Sequence, residues 1–181
     1  MINVENSILE YFENFKKKNN AKRYQEDCDN FDLRELIKDD LLIKQRSQCA
    51  YCESKITKKK STIEHINPRS KSPKLECEYS NIVLSCKNED SCDKFKGSSS
   101  WNDNYIHPVL NNPEEFFYFS SNGEILSEHK NAIDTIDYLN LNSDKLKRIR
   151  KGIVFNLQEL RGIEDISSYF NEHENLIKQY T

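Results

Sequence analysis

The sequence predicts an α+β domain in which a compact loop-and-strand unit, stapled by four cysteines, is embedded between helical N-terminal and C-terminal segments and accompanied by a small β-hairpin. Three observations predict it. Apolar residues recur at helical spacing toward both ends of the chain. Between Cys49 and Gly97 that rhythm breaks into short apolar pieces. Two cysteine pairs, Cys49/Cys52 and Cys86/Cys92, flank those pieces.

Ile8, Phe12 and Phe15 fall on one helical face, and so do Leu33, Leu36, Ile37 and Leu41 behind Asp32, which with Glu35 makes an N-cap and capping-box pair. Residues 1–47 therefore read as a helical segment. In the core unit, residues 48–98, Ser61 to Ile66 and Asn81 to Cys86 read as short strands, separated by a stretch holding Pro68 and Pro73. The remainder, residues 99–181, opens on Trp101, Pro108 and Pro113, and continues into Phe116 to Phe119 and Glu124 to Leu126. Asn122-Gly123 joins those two pieces, and Asn-Gly is the strongest short hairpin signal. Ser143 and Asp144 then start an amphipathic helix with positions 146, 149, 153, 157 and 160 on one face. A last helix is expected around Ile166 to Tyr180. At 181 residues the chain is read as one domain, 1–181, with a core of its own.

No stretch approaches the roughly 18 apolar residues of a membrane span, and Met1 to Lys18 lacks the basic-then-apolar order of a leader, so a cytoplasmic protein is expected. The net charge of −3 would by itself argue against a polyanionic partner. Its distribution argues otherwise. Lys44 to Lys74 holds nine Lys or Arg against two acids, and Ser143 to Gly152 holds five against one.

A two-residue spacer lets both thiolates of Cys49-Ala-Tyr-Cys52 face one tetrahedral ion, and the second pair, Cys86 and Cys92, completes a Cys₄ set for structural zinc. The five-residue spacer of the second pair is longer than the commonest knuckle. Cys28 and Cys77 are read as non-ligands. Four thiolates leave no open coordination position, so such a site holds the fold and performs no chemistry. The chemistry falls to what the cysteines enclose: Glu64-His65-Ile66-Asn67-Pro68-Arg69-Ser70, then Asn81-Ile82-Val83-Leu84, then Cys92-Asp93-Lys94-Phe95-Lys96-Gly97.

In that order and within so short a span, these motifs resemble the HNH endonuclease family. The resemblance implies a ββα-metal (HNH) finger holding one divalent cation. It makes His65 the general base, Asn81 the central residue that braces the loop and orients the histidine, and Asp93 the metal ligand on the finger helix, with Glu64 the second ligand and a member of the catalytic group. A histidine near its unperturbed pKa of ~6.5 takes a proton at neutral pH. A hard, oxygen-ligated cation, Mg²⁺ or Mn²⁺, suits two carboxylates and a phosphate. Lys94 and Lys96 on the finger helix, Arg69, and the run Lys58, Lys59 and Lys60 are then the expected phosphate contacts, setting register without reading bases. His107, His129 and His173 lack such company and are read as surface or core residues.

A narrower resemblance, to the small retron-associated and Septu-type HNH proteins (PtuB), rests on the Cys49-to-Glu53 stretch, His107-Pro108, Gly123, Thr135 to Leu141, and Leu146 to Arg150. It implies an effector of bacterial antiviral (anti-phage) defence working with a PtuA-like ATPase. The 181 residues contain no Walker A motif of their own. Trp101 and the C-terminal helices are the expected docking surface. DNA is the expected substrate and RNA, including tRNA, the alternative. A non-catalytic zinc-knuckle nucleic-acid-binding module would use the cysteines and the basic island, but it has no use for Glu64, His65, Asn81 and Asp93 in this order.

Overall fold

The computed structural model describes residues 10–97 and 105–159, with side chains to residue 156. The expected helix over 166–180, Trp101, His173, and positions 157 and 160 of the amphipathic pattern lie outside the described residues or side chains. Helices α1 (Glu10–Asn19) and α2 (Phe31–Lys44) form the N-terminal segment, with a single π-helical turn, Tyr24–Cys28, between them. The α2 N-cap is Asn30, whose side chain accepts the Leu33 N–H at 2.9 Å; the expected Asp32 cap sits one turn position inside the helix. Phe12 of α1 and Leu33, Ile37 and Leu41 of α2 are buried as their spacing predicts, whereas Leu36, expected on the same face, is 41% exposed.

Strands β1 (Ser61–His65) and β2 (Ile82–Cys86) pair antiparallel in the register Ser61↔Cys86 to His65↔Ile82, and the five-residue helix α3 (Cys92–Lys96) follows. This is the ββα finger. β2 is buried along its whole length. Its edge away from β1 is closed by Gln45, just past α2: the Gln45 side chain donates to the Leu84 carbonyl at 2.9 Å and accepts the Leu84 N–H at 2.7 Å. One glutamine thus replaces a missing strand partner and ties α2 to the finger.

A second ribbon, β3 (Tyr118–Phe119) and β4 (Ile125–Leu126), turns at Asn122-Gly123 as expected. Helix α4 (Lys130–Tyr138) was not anticipated, because the only periodic signal there is short. It buries Ala132, Thr135 and Ile136. Helix α5 (Asp144–Glu159) begins where the sequence placed it, with the Leu146 N–H directed at Ser143 Oγ, 3.5 Å away. Leu146 is buried, whereas Ile149 is 43% exposed and Ile153 is half-buried, so among the described side chains of the predicted apolar face only Leu146 packs fully. Arg150 fastens α5 to the ribbon and the α4–α5 junction, donating to the carbonyls of Gly123 (2.7 Å) and Leu141 (2.6 Å). No helix among the described residues is long and apolar enough to cross a membrane.

Candidate active site and metal centre

The four cysteines converge. Their sulfurs all lie within 4.8 Å of one another, with Cys49 and Cys92 3.9 Å apart and Cys52 and Cys86 3.8 Å apart. Four thiolates at ~2.3 Å from one zinc stand ~3.8 Å from each other, so the set fits a tetrahedral ion. The cluster can therefore hold a metal, and Cys92 belongs to it despite the long spacer. Two left-handed residues make the turns that aim the sulfurs, Glu53 (φ 62) after the first pair and Cys92 itself (φ 61). The Glu53 N–H bonds the Cys49 carbonyl at 3.0 Å, and the Cys92 N–H bonds the Leu139 carbonyl at 2.8 Å, so the C-terminal region holds the second knuckle in place. Burial alone would raise the Cys49 thiol, but hydrogen bonds from Cys52, Cys86 and Cys92 outweigh it and hold this thiol well below its ordinary range.

Cys28 and Cys77 stand apart from that cluster, with their sulfurs 3.1 Å from each other in the interior. Burial raises both thiols, which keeps them protonated and unreactive at neutral pH.

His65 is the last residue of β1 and is 8% exposed. Its Nε2 lies 2.9 Å from the carbonyl oxygen of Glu76. A carbonyl only accepts, so Nε2 carries the proton and Nδ1 keeps its lone pair. The ring of Tyr24 meets the imidazole edge-on, centroids 4.6 Å apart, and the Tyr24 N–H bonds the Glu76 carboxylate at 3.1 Å. Burial lowers the His65 pKa to about 4, opposed by the Glu76 carbonyl and helped by the charges of Arg69 and Lys96. The imidazole is therefore neutral across the physiological range.

Asn81 is buried and its side chain makes four hydrogen bonds. Its amide donates to the carbonyls of Asn67 and Leu75, both at 3.1 Å, and its oxygen accepts from the Asn67 N–H (2.8 Å) and the Asn67 side chain (3.2 Å). It does not touch the imidazole; it clamps both ends of the loop whose Glu76 carbonyl does.

Alternation along β1 sends Glu64 to the face opposite His65. There it meets Asp93 of α3, while Thr62, on the same face, donates to Asp93 at 3.2 Å. The Tyr51 hydroxyl, 3.5 Å away, and the Lys96 ammonium both point at Glu64 Oε1. Burial raises the Glu64 carboxyl well above its usual range, the Asp93 carboxyl adds to the rise, and Lys96 opposes it. Two adjoining carboxylates are a hard-oxygen donor set that suits a magnesium-like ion, which keeps its remaining positions for water and phosphate. Thr62 and His65 line one cleft, whose lining includes neither Glu64 nor Asp93.

The expected phosphate contacts divide. Lys94 is exposed on α3 and Lys59 and Lys60 are exposed before β1. Arg69 is half-buried, its guanidinium 6.0 Å from the centre of the Tyr24 ring. Lys96 is a correction: at 2% exposure it is spent on Glu64 and on the carbonyls of His65 (3.0 Å) and Ile66 (3.3 Å), and cannot reach a phosphate. Lys58 is a second, ion-paired with Glu35 at 2.9 Å and Asp39 at 2.7 Å, so its charge is already compensated. Tyr24, Tyr51, Thr62 and Glu76 were missed by sequence reasoning. None carries a motif, since each acts through a backbone group or a lone hydroxyl brought in from elsewhere in the chain.

Residues 49–88 match the model of the HNH endonuclease family. A protein of Vibrio cholerae serotype O1 biovar El Tor, described as "Retron Vc95 putative HNH endonuclease", is 30% identical over 131 residues, covering 66% of this chain. The chain spans 63% of that relative's length. The family match ends before Cys92, Asp93 and Lys96, so these join the site on geometry alone.

Proposed function

We propose, from the HNH endonuclease domain that occupies residues 49–88, that this chain is a metal-dependent nuclease hydrolysing phosphodiester bonds of nucleic acid, with DNA the first candidate substrate and RNA the second. The observation that carries the reading is the His65–Glu76 hydrogen bond, which fixes the tautomer and leaves Nδ1 as a neutral proton acceptor, one residue along β1 from the Glu64 that meets Asp93. His65 takes the proton of the attacking water at Nδ1. Glu64 and Asp93 would hold the divalent cation, Mg²⁺ or Mn²⁺. When bound, the cation would neutralise charge building on the phosphate oxygens and on the leaving oxygen. Asn81 is a positioning residue: it fixes the loop that presents the Glu76 carbonyl, and so acts on the base through the backbone. Cys49, Cys52, Cys86 and Cys92 would hold structural Zn²⁺, tying α3 and its Asp93 to the strands.

The retron wording of the relative's name supports a place in bacterial defence against phage, and the PtuB-like order of motifs supports a separate PtuA-like ATPase as partner. The test is cleavage of plasmid DNA and of total RNA, with magnesium or manganese, by the wild type and by His65→Ala, each with and without an ATPase encoded beside the gene. Cleavage by the wild type alone names the substrate. Equal cleavage by His65→Ala removes His65 as the base. In Asn81→Ala, a fall in kcat with cation affinity unchanged marks a positioning role, whereas loss of cation binding would contradict it.

A further inference from the structure

We infer that the substrate's backbone phosphates lie on a cationic wall built by Arg34 and Lys38 of α2, Lys87 just past β2, and Arg69 of the long loop. The inference rests on the nuclease reading above and names where that nuclease grips its polyanion.

A cleft of about 280 Å³ runs along β1 and is lined there by Thr62 and His65, so it includes the candidate base. Arg34 and Lys38 are four residues apart on α2 and therefore neighbours on one helix face. Lys87 and Arg69 complete the cationic part of its lining. Among the described residues that line this cleft, Asp29 is the one acid, and it sits 3.3 Å from Arg34 Nε.

The remaining charges are poorly cancelled. Lys38 donates to the Lys58 carbonyl at 3.4 Å and Lys87 to the Lys59 carbonyl at 2.9 Å. A neutral carbonyl satisfies a proton but does not neutralise an ammonium. Glu35, the nearest acid on the same helix, is committed to Lys58. Burial depresses the Lys38 pKa, Glu35 opposes this, and the charges of Arg34, Lys87 and Lys58 add to the depression, which is the mark of cations crowded round one space. A folded chain bears that repulsion at a cost, and a row of phosphodiesters removes it. Guanidinium forks and lysine ammonium groups are the donors that such phosphates take, without reading bases. The finger helix adds nothing to the lining of this cleft, and its Lys96 is buried.

The full chain carrying His65→Ala is titrated into fluorescein-labelled single-stranded DNA and, in a second arm, RNA of the same sequence, by fluorescence anisotropy from about 50 to 200 mM salt. Arg34→Gln with Lys38→Gln is expected to weaken binding roughly tenfold and to flatten the salt slope by about 1.4, at ~0.7 for each charge removed on single strands. Arg34→Lys with Lys38→Arg keeps the slope. Lys130→Gln, on exposed α4, leaves it unchanged.

An unchanged slope in the glutamine pair, in a protein whose parent binds, overturns the wall and leaves the nuclease reading standing. Equal flattening by Lys130→Gln overturns it as well, since any lysine would then serve. A parent that binds neither nucleic acid sinks the nuclease reading itself. The two arms separate a DNA-directed from an RNA-directed grip.

Discussion

The ammonium of Lys96 on α3 lies against the carboxylate of Glu64 on β1, with the two side chains 1% and 8% exposed. The same ammonium bonds the main-chain carbonyls of His65 and Ile66, so one buried cation holds the helix of the finger to the end of the strand that carries the candidate base. Burying a charge this completely is tolerated only because every proton on it finds an acceptor.

Removing one partner leaves the other charge stranded. Lys96→Met is expected to cost about 3–5 kcal/mol in urea unfolding, because Glu64 then stays buried without its counter-ion. Adding Glu64→Gln to Lys96→Met should return part of that loss, and a double-mutant cycle measures the coupling. Strict additivity of the two substitutions would show that the pair does not interact.

The six cysteines should separate into two chemical classes. Cys86→Ala is expected to lower metal content by elemental analysis and to unfold the knuckle. Cys77→Ala removes a small buried group packed on Cys28 and should cost about 1–3 kcal/mol with metal content unchanged. Metal loss in Cys77→Ala would contradict the four-sulfur cluster.

Gly123 is the tightest point between the ribbon and α5. It holds φ +86, and a Cβ there would stand 2.2 Å from the Lys147 carbonyl oxygen and 2.8 Å from the Lys151 nitrogen, both helix backbone that cannot give way. Gly123→Ala is therefore expected to push the ribbon off α5 and lower Tm, with roughly 1–3 kcal/mol from the left-handed backbone alone. A melt that matches the wild type would show that the ribbon does not depend on this approach.

His107 sets a pH dependence of stability. Its Nδ1 accepts the N–H groups of Val109 and Leu110, both at 3.2 Å, and burial lowers its pKa to about 4. The unfolded value is ~6.5, so the unfolded chain binds the extra proton first. This contribution is complete above pH ~6.5 and is lost as the pH falls through about 4, amounting to roughly 3 kcal/mol. His107→Asn supplies a side-chain acceptor that does not titrate there. Thermal melts between these pH values should show a shallower decline in the variant, and parallel declines would exclude His107 as the source.

The sequence by itself determined most of the elements, though not α4, and the chemical kind of the site. Apolar spacing placed α1, α2 and α5, short apolar pieces set off by Pro68 and Pro73 placed β1 and β2, and Asn122-Gly123 placed the ribbon turn, because each of these signals is local in the chain. Cysteine spacing and the Glu64-His65 to Asp93 order named the metal cluster and the finger for the same reason, since those ligands sit on short, adjacent pieces.

Tertiary structure alone decided what each charge is for. Whether a lysine faces a phosphate or a buried carboxylate depends on which residue lies opposite it, and those residues are distant in the chain: Glu64 for Lys96, Glu35 and Asp39 for Lys58. The tautomer of His65 was hidden too, because it is set by a backbone carbonyl, which every residue possesses and no sequence marks. The cluster of Arg34, Lys38, Arg69 and Lys87 follows from α2 packing against β2, a relationship fixed by the burial of Leu33, Ile37 and Leu41, and not by the cations themselves.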